Sequence, residues 1–184
     1  MKLMPILKEL PDNRRKQGKQ YDLAHILLFT LLAMLCGANS YRKVATFIKV
    51  RFCVLKQLCG ISWKKAPGYT TLRKIYLGIK EEELEALFRS HAGKMATLPE
   101  GEVIGIDGKS LRGSFDHEQD KVSMMMVSAF SSADQIILGH IMLNEKEKES
   151  EIPAVQLLIK ELNLQGKLFS MDALHCQKNA RSCV

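Results

Sequence analysis

The stretch "GEVIGIDGKSLRG", residues 101–113, decides how the chain is read. Val103, Ile104 and Ile106 read as a strand covering residues 102–107. Asp107 ends it in an apolar context, followed at once by Gly108 and Lys109. A bare carboxylate buried there costs several kcal/mol unless it is paired or bound to a cation. A second stretch, "KLFSMDALHC" at 167–176, sets Asp172 in the same kind of context.

Working outward, residues 121–130, "KVSMMMVSAF", read as a second strand and 135–143, "QIILGHIML", as a third. Short intervals make these antiparallel neighbours of the first. Pro153 suits the first turn of a helix over 152–162, whose stripe is Ile152, Val155, Leu158, Ile159 and Leu162. A helical crossover of that length lets "LFSMDA", the fourth strand, lie parallel to an earlier one. The resulting order is β-β-β-α-β, the front portion of a ribonuclease-H-like domain.

The preceding segment is helical. Residues 1–20 are basic and read as an arm leading into a helix that Asp22 caps and Gly37 ends. Ser40 caps a second helix with Val44, Ala45, Phe47 and Ile48 at helical spacing. A third lies near 51–59 and stops at Gly60, and Thr70 or Thr71 caps a fourth. Residues 80–96 form an amphipathic helix with an acidic first turn, and "TLPEG" at 97–101 is the linker. The fold class is α+β, with a helical domain over 1–96 and the partial β-β-β-α-β domain over 101–184.

Charge separates the same halves. Residues 1–80 carry 16 Lys and Arg against three Asp and Glu, and residues 81–184 carry 11 against 17. A basic front half suits a polyanionic partner, and a solvated basic face is the plain alternative. A spanning helix needs about 20 apolar residues. The 16-residue run at 23–38 includes His25 and Thr30 and reads as a buried core helix, so no membrane partner is expected. The five cysteines form no CxxC pair and read as free thiols in a reducing cytoplasm.

If the first and fourth strands are parallel neighbours, Asp107 and Asp172 lie side by side and repel unless a cation sits between them. Oxygen-only ligands suit Mg²⁺ or Mn²⁺, which serve phosphoryl transfer. The alternative pairs Asp107 with Lys109 or Arg112, and leaves Asp172 to cap a helix at Ala173. Lys109 and Arg112 either hold a phosphate or balance local carboxylates. Arg14, Arg15, Lys16 and Lys19 are candidates for a flexible DNA-binding arm. Arg42 and Lys43, with Arg73 and Lys74, are candidates for the DNA-facing side of a helix-turn-helix-like unit. Trp63 either stacks on a base or packs on the surface. His175 either orients a water or phosphate beside Asp172 or is a capped, partly exposed residue.

The segments "RRKQGKQYDLAHILLFTLLAMLCGANSYRKVATF", "GYTTLRKI", "VIGIDGKSLRGS", "EKESEIPAVQLL" and "MDALHCQK" follow one another along nearly the whole chain. In them the chain resembles DDE transposases of the ISAs1 type, also called the H-repeat-associated family. The resemblance implies a helical transposase-associated domain followed by a ribonuclease-H-like catalytic domain, incomplete here. It implies an Asp-Asp-Glu triad holding Mg²⁺ or Mn²⁺, with Asp107 and Asp172 matching the two aspartates. It also implies metal-activated water cutting double-stranded DNA at element ends, attack of the freed 3′-hydroxyl on target DNA, and a homo-oligomer in the intact family. The bacterial cytoplasm, at the nucleoid, is the implied location.

The family's third acid, a Glu, lies on a helix downstream of "DALHCQ", whereas this chain ends at Val184. The expectation is therefore a truncated copy without catalysis. The alternatives are a DNA-binding remnant that occupies element ends and a poorly folded product. Glu145, Glu147, Glu149 and Glu151 either approach the metal or form a solvated loop. Glu102, at odd spacing from Asp107, falls on the opposite face of its strand.

Overall fold

The computed structural model describes residues 3–111, 124–144 and 151–171. The chain separates into two compact units, Met1–Leu87 and Phe88–Val184. Six α-helices lead: α1 (Leu3–Glu9), α2 (Leu23–Leu35), α3 (Tyr41–Val50), α4 (Phe52–Cys59), α5 (Tyr69–Tyr76) and α6 (Glu81–Met95). The division between units falls inside α6, upstream of the 97–101 linker read from the sequence.

In the first unit α2 is the central helix. Leu23, Ala24, Ile26, Leu27, Leu28, Phe29 and Ala33 are all buried, as a core helix requires. Asp22 caps it by accepting the His25 N–H at 3.1 Å, and the chain reverses at Gly37 with φ 85°. Ser40 caps α3 by accepting the Lys43 N–H at 3.3 Å. Gly60 ends α4 in the left-handed region at φ 64°. No helix among the described residues is long and apolar enough to cross a membrane.

Two local expectations change. Neither Thr70 nor Thr71 caps α5, which begins at Tyr69 behind an extended Gly68 with no side-chain cap. Fully buried Pro67 anchors the chain just upstream, so the helix starts earlier. Nor is the N-terminal segment an arm. Residues 3–9 form α1, whose Leu7 is buried, and α1 packs on α2. Arg14 gathers the turn that follows. Its Nε and Nη2 donate to the Asp12 carboxylate, each at 2.8 Å, and Nη2 also donates to the Tyr21 carbonyl at 2.8 Å. The Arg14 bond holds the Asp12 carboxyl below its ordinary value.

The second unit is built on a four-stranded sheet of β1 (Val103–Leu111), β2 (Met124–Ser131), β3 (Ile136–Asn144) and β4 (Leu168–Ser170). Helix α7 (Glu151–Leu162) joins β3 to β4. The strand order is β3-β2-β1-β4. β1–β2 and β2–β3 are antiparallel, with a bulge at Ala129/Phe130, and β1–β4 is parallel. One face packs on α7. Ile104, Ile106, Val127, Ala129, Leu138 and Leu143 meet Ala154, Val155, Leu158 and Ile159 in a single buried cluster. On that face a Cβ added to Gly139 would stand 3.1 Å from Arg89 Nε, so a side chain there would have to displace the Arg89 side chain.

β1 and β4 are pinned where they begin. The Leu168 N–H donates to the Glu102 carbonyl at 2.9 Å, and Lys167 Nζ donates to the Leu98 carbonyl at 2.7 Å. The β2–β3 turn is held to the linker by Asp134. Thr97 donates its N–H at 2.8 Å and its hydroxyl at 2.7 Å, and the Leu98 N–H adds a bond at 3.2 Å. These bonds, the Thr97 hydroxyl first, hold the Asp134 carboxyl below its ordinary value. A depressed folded value stabilises above the unfolded value near 3.8, and the contribution disappears as pH falls through the folded value. Thermal melts should therefore lose stability below about pH 4. The loss should be smaller in Asp134→Asn, and identical acid profiles for the two proteins would exclude this role.

Candidate functional site

Asp107 does not end its strand. β1 continues to Leu111 because Gly108–Leu111 pair with Val127–Met124 of β2. Nor is Asp107 buried. Alternation sends Ile104 and Ile106 into the α7 cluster and Asp107 to the other face, where its side chain is 68% exposed. Exposure removes the desolvation cost that a core carboxylate would carry. Lys109 Nζ stands 3.7 Å from Asp107 Oδ2, with its own side chain 75% exposed. So loose and wet an ion pair is worth little, and the carboxylate oxygens keep capacity for another ligand.

Glu102 falls on the opposite face, as its odd spacing from Asp107 requires. It is buried, and its Oε1 accepts from the Ser131 hydroxyl and, at 3.1 Å, from the Ala133 N–H. Its bonds are spent on the β2–β3 turn, not near Asp107.

Sheet register brings two further polar groups into line with Asp107. Ser128 of β2 is its cross-strand partner, and His140 of β3 is the partner of Ser128. Ser128 Oγ donates to the Asp107 carbonyl at 3.4 Å. Strand alternation predicts this row once the register is known, but neither residue stands out in the sequence.

Asp172, Arg112 and His175 lie outside the described residues, as do Glu145, Glu147 and Glu149. Among the described residues no three His, Cys, Asp or Glu side chains are grouped to hold a metal. Asp107 is thus the described member of the expected carboxylate pair.

Among the basic candidates, Arg14 is committed to the Asp12 and Tyr21 bonds, and Lys19 Nζ donates to the Asp12 carbonyl at 2.7 Å. Arg15 and Lys16 are exposed in the same folded turn. The structure brings α3 and α5 together as packed neighbours, with Tyr41 stacked on Tyr76 at 5.4 Å. Arg42, Lys43, Arg73 and Lys74 are all exposed. Trp63 faces inward at 6% exposure, edge-on to Tyr21 at 5.0 Å and Phe29 at 5.6 Å, so it offers no ring to a base.

A family profile described as DDE_Tnp_1-associated matches residues 4–92. Over 182 residues, 99% of this chain, 31% are identical to "Putative transposase YncI" of Escherichia coli K12, and the match spans 72% of that protein. The protein of the same name from Escherichia coli O157:H7 is also 31% identical, with 46% of its length covered. "H repeat-associated putative transposase YhhI" of Escherichia coli K12 is 30% identical over 178 residues, again with 46% of its length covered. The chain therefore spans about half of two of these relatives. No solved structure matches.

Proposed function

We propose, on the premise that this chain belongs to the H-repeat-associated transposase family, that it carries the DNA-contacting unit and the front of the catalytic unit of a metal-dependent DNA strand-transfer enzyme. In this reading the sheet unit is the beginning of a ribonuclease-H-like domain of the DDE class. Asp107 and Asp172 supply oxygen ligands for Mg²⁺ or Mn²⁺, and the substrate is double-stranded DNA at element ends and target.

One observation carries the reading. β4 runs parallel to β1 with Val103 opposite Leu168 and Gly105 opposite Ser170. Asp172 lies beyond the described pairing; in this reading the same offset continues two residues onward, which would set Asp107 against Asp172. The donor set agrees with the proposed ion, because hard carboxylate oxygens select Mg²⁺ or Mn²⁺ over softer metals. Asp107 stands on the face opposite the α7 cluster, with its side chain 68% exposed and its oxygens open to solvent.

A divalent ion held there would polarise a phosphoryl oxygen and stabilise the charge that develops on the leaving oxygen. The chain's own residues do the positioning. β2 fixes the Asp107 backbone by pairing it with Ser128, β4 holds β1 just upstream at Val103–Gly105, and the buried α7 face keeps the strand from rotating. Lys109, loosely placed beside Asp107, is free to swing onto a phosphate of the bound strand.

Titration of the full chain with Mn²⁺, read by calorimetry, tests the proposal. Loss of a group that merely orients a metal ligand weakens binding by about 10–100-fold. Removing a ligand itself, in Asp107→Asn, should cost at least about tenfold in Mn²⁺ affinity. The thermal midpoint should stay unchanged in metal-free buffer. Equal Mn²⁺ isotherms for the two proteins would remove Asp107 from the metal site.

A further inference from the structure

The helical unit contains an open cleft of about 530 Å³ between α3 and the loop that leads into α5. Arg42, Thr46 and Lys49 line one wall, and Lys65, Gly68 and Tyr69 line the other. The first three stand at i, i+4 and i+7, so they share one face of α3 and span about 10 Å of helix. The Arg42 guanidinium lies 5.3 Å from the centre of the Tyr69 ring, which braces cation and ring across the cleft.

Among the described residues no acid pairs with the cations that line this cleft. Residues 23–80 include ten Lys and Arg and no Asp or Glu. Among the described residues, Lys80 with Glu83 is the ion pair that any of the ten makes. A cation kept for stability is normally paired or dispersed among acids. A run of cations concentrated along a cleft with no acid in 58 consecutive residues instead repels itself until a polyanion arrives. The charge also continues beyond the cleft, with Lys43, Lys64, Arg73 and Lys74 all exposed. A small anion would neutralise one or two of these, whereas a polymer neutralises the strip.

We infer that this cleft seats the sugar-phosphate backbone of duplex DNA, with Arg42, Lys49 and Lys65 on phosphates and no base reading. Duplex phosphates on one strand rise about 3.4 Å each along the axis while winding around it, so a wall of about 10 Å meets roughly two of them. Gly68 has open space where a side chain would stand, which lets a phosphate approach the backbone at the start of α5. The choice of DNA over another polyanion rests on the family membership and is independent of the metal proposal. The expected arm over residues 14–19 contributes less, because Arg14 and Lys19 are already bonded within the turn.

The test is fluorescence anisotropy of the full chain with a labelled 20-base-pair duplex of arbitrary sequence, titrated with salt in EDTA so that no metal site is involved. Each lost phosphate contact reduces the slope of log K against log salt by about 0.9, so Arg42→Gln/Lys49→Gln/Lys65→Gln should flatten it by roughly 2–3. Affinity at low salt should fall at least about tenfold. A control with the same charge loss elsewhere, Lys8→Gln/Lys56→Gln/Lys94→Gln, should change the slope by less than about 1. Lys49→Gln alone, expected to flatten it by about 1, covers the case in which the triple variant does not fold. Equal slope changes in both triple variants would overturn the cleft in favour of diffuse charge. Absence of duplex binding by the parent chain, or its displacement by anionic phosphatidylserine vesicles more readily than by duplex, would overturn it too.

Discussion

Trp63→Ala is expected to destabilise the helical unit by about 3–5 kcal/mol, the range for removing a large buried aromatic. Trp63 is 6% exposed, and Tyr21, Phe29 and His25 surround it, with His25 at 6.3 Å. It joins the segment before α2, α2 itself and the loop after α4, elements that no hydrogen-bond ladder connects. Its removal opens a cavity where three chain segments meet, and these cannot collapse together without moving α2. Trp63→Phe, which keeps most of the contact, should lose less than half as much. Because Trp63 is the one tryptophan in the chain, its emission should be blue-shifted when folded and move red on unfolding. Denaturant melts followed by helical circular dichroism measure the loss. A cost under about 1 kcal/mol together with weakened DNA binding would return Trp63 to the base-stacking role.

Trp63 also shows where the sequence stops being informative. A tryptophan between a serine and two lysines in a loop carries no periodicity, so its burial depends on contacts with Phe29 and Tyr21, 34 and 42 positions earlier. The caps are different. Asp22, Gly37, Ser40 and Gly60 act through bonds and dihedrals within a few residues, and each does what its local chemistry predicts. The N-terminal segment misleads because its charge is conspicuous while α1 is short and is held by Leu7 and Leu10 buried in the unit. Arg14 reads as a free cation until its carbonyl and carboxylate partners are located in space. On the sheet, alternation sorts Glu102 from Asp107 correctly. The end of β1 is not legible, because it depends on pairing with β2. The basic cleft lies beyond sequence reasoning for the same reason. Arg42 and Lys49 meet Lys65 and Tyr69 only because α4 turns the chain back.

Ile104→Ala should cost about 2–5 kcal/mol, while Asp107→Ala three residues along the same strand should stay within about 0.5 kcal/mol. The contrast follows from a sheet covered on one side. Ile104 is 0% exposed and packs into the cluster with Leu158, which is also 0% exposed. Truncating Ile104 leaves a cavity between β1 and α7 that the paired backbone cannot close, since β1 is held by β2 on one side and β4 on the other. On the open face apolar groups already tolerate water: Val103 is 42% exposed, Ile137 54% and Leu168 62%. A carboxylate there contributes little to folding, which leaves it available for chemistry. Chemical denaturation of both variants, followed by a probe confined to the sheet unit such as amide exchange in β2, separates the possibilities. A large loss in Asp107→Ala would make Asp107 a structural partner of Lys109 and remove the case for a ligand. A loss under about 1 kcal/mol in Ile104→Ala would reverse the assignment of faces on which the proposed site depends.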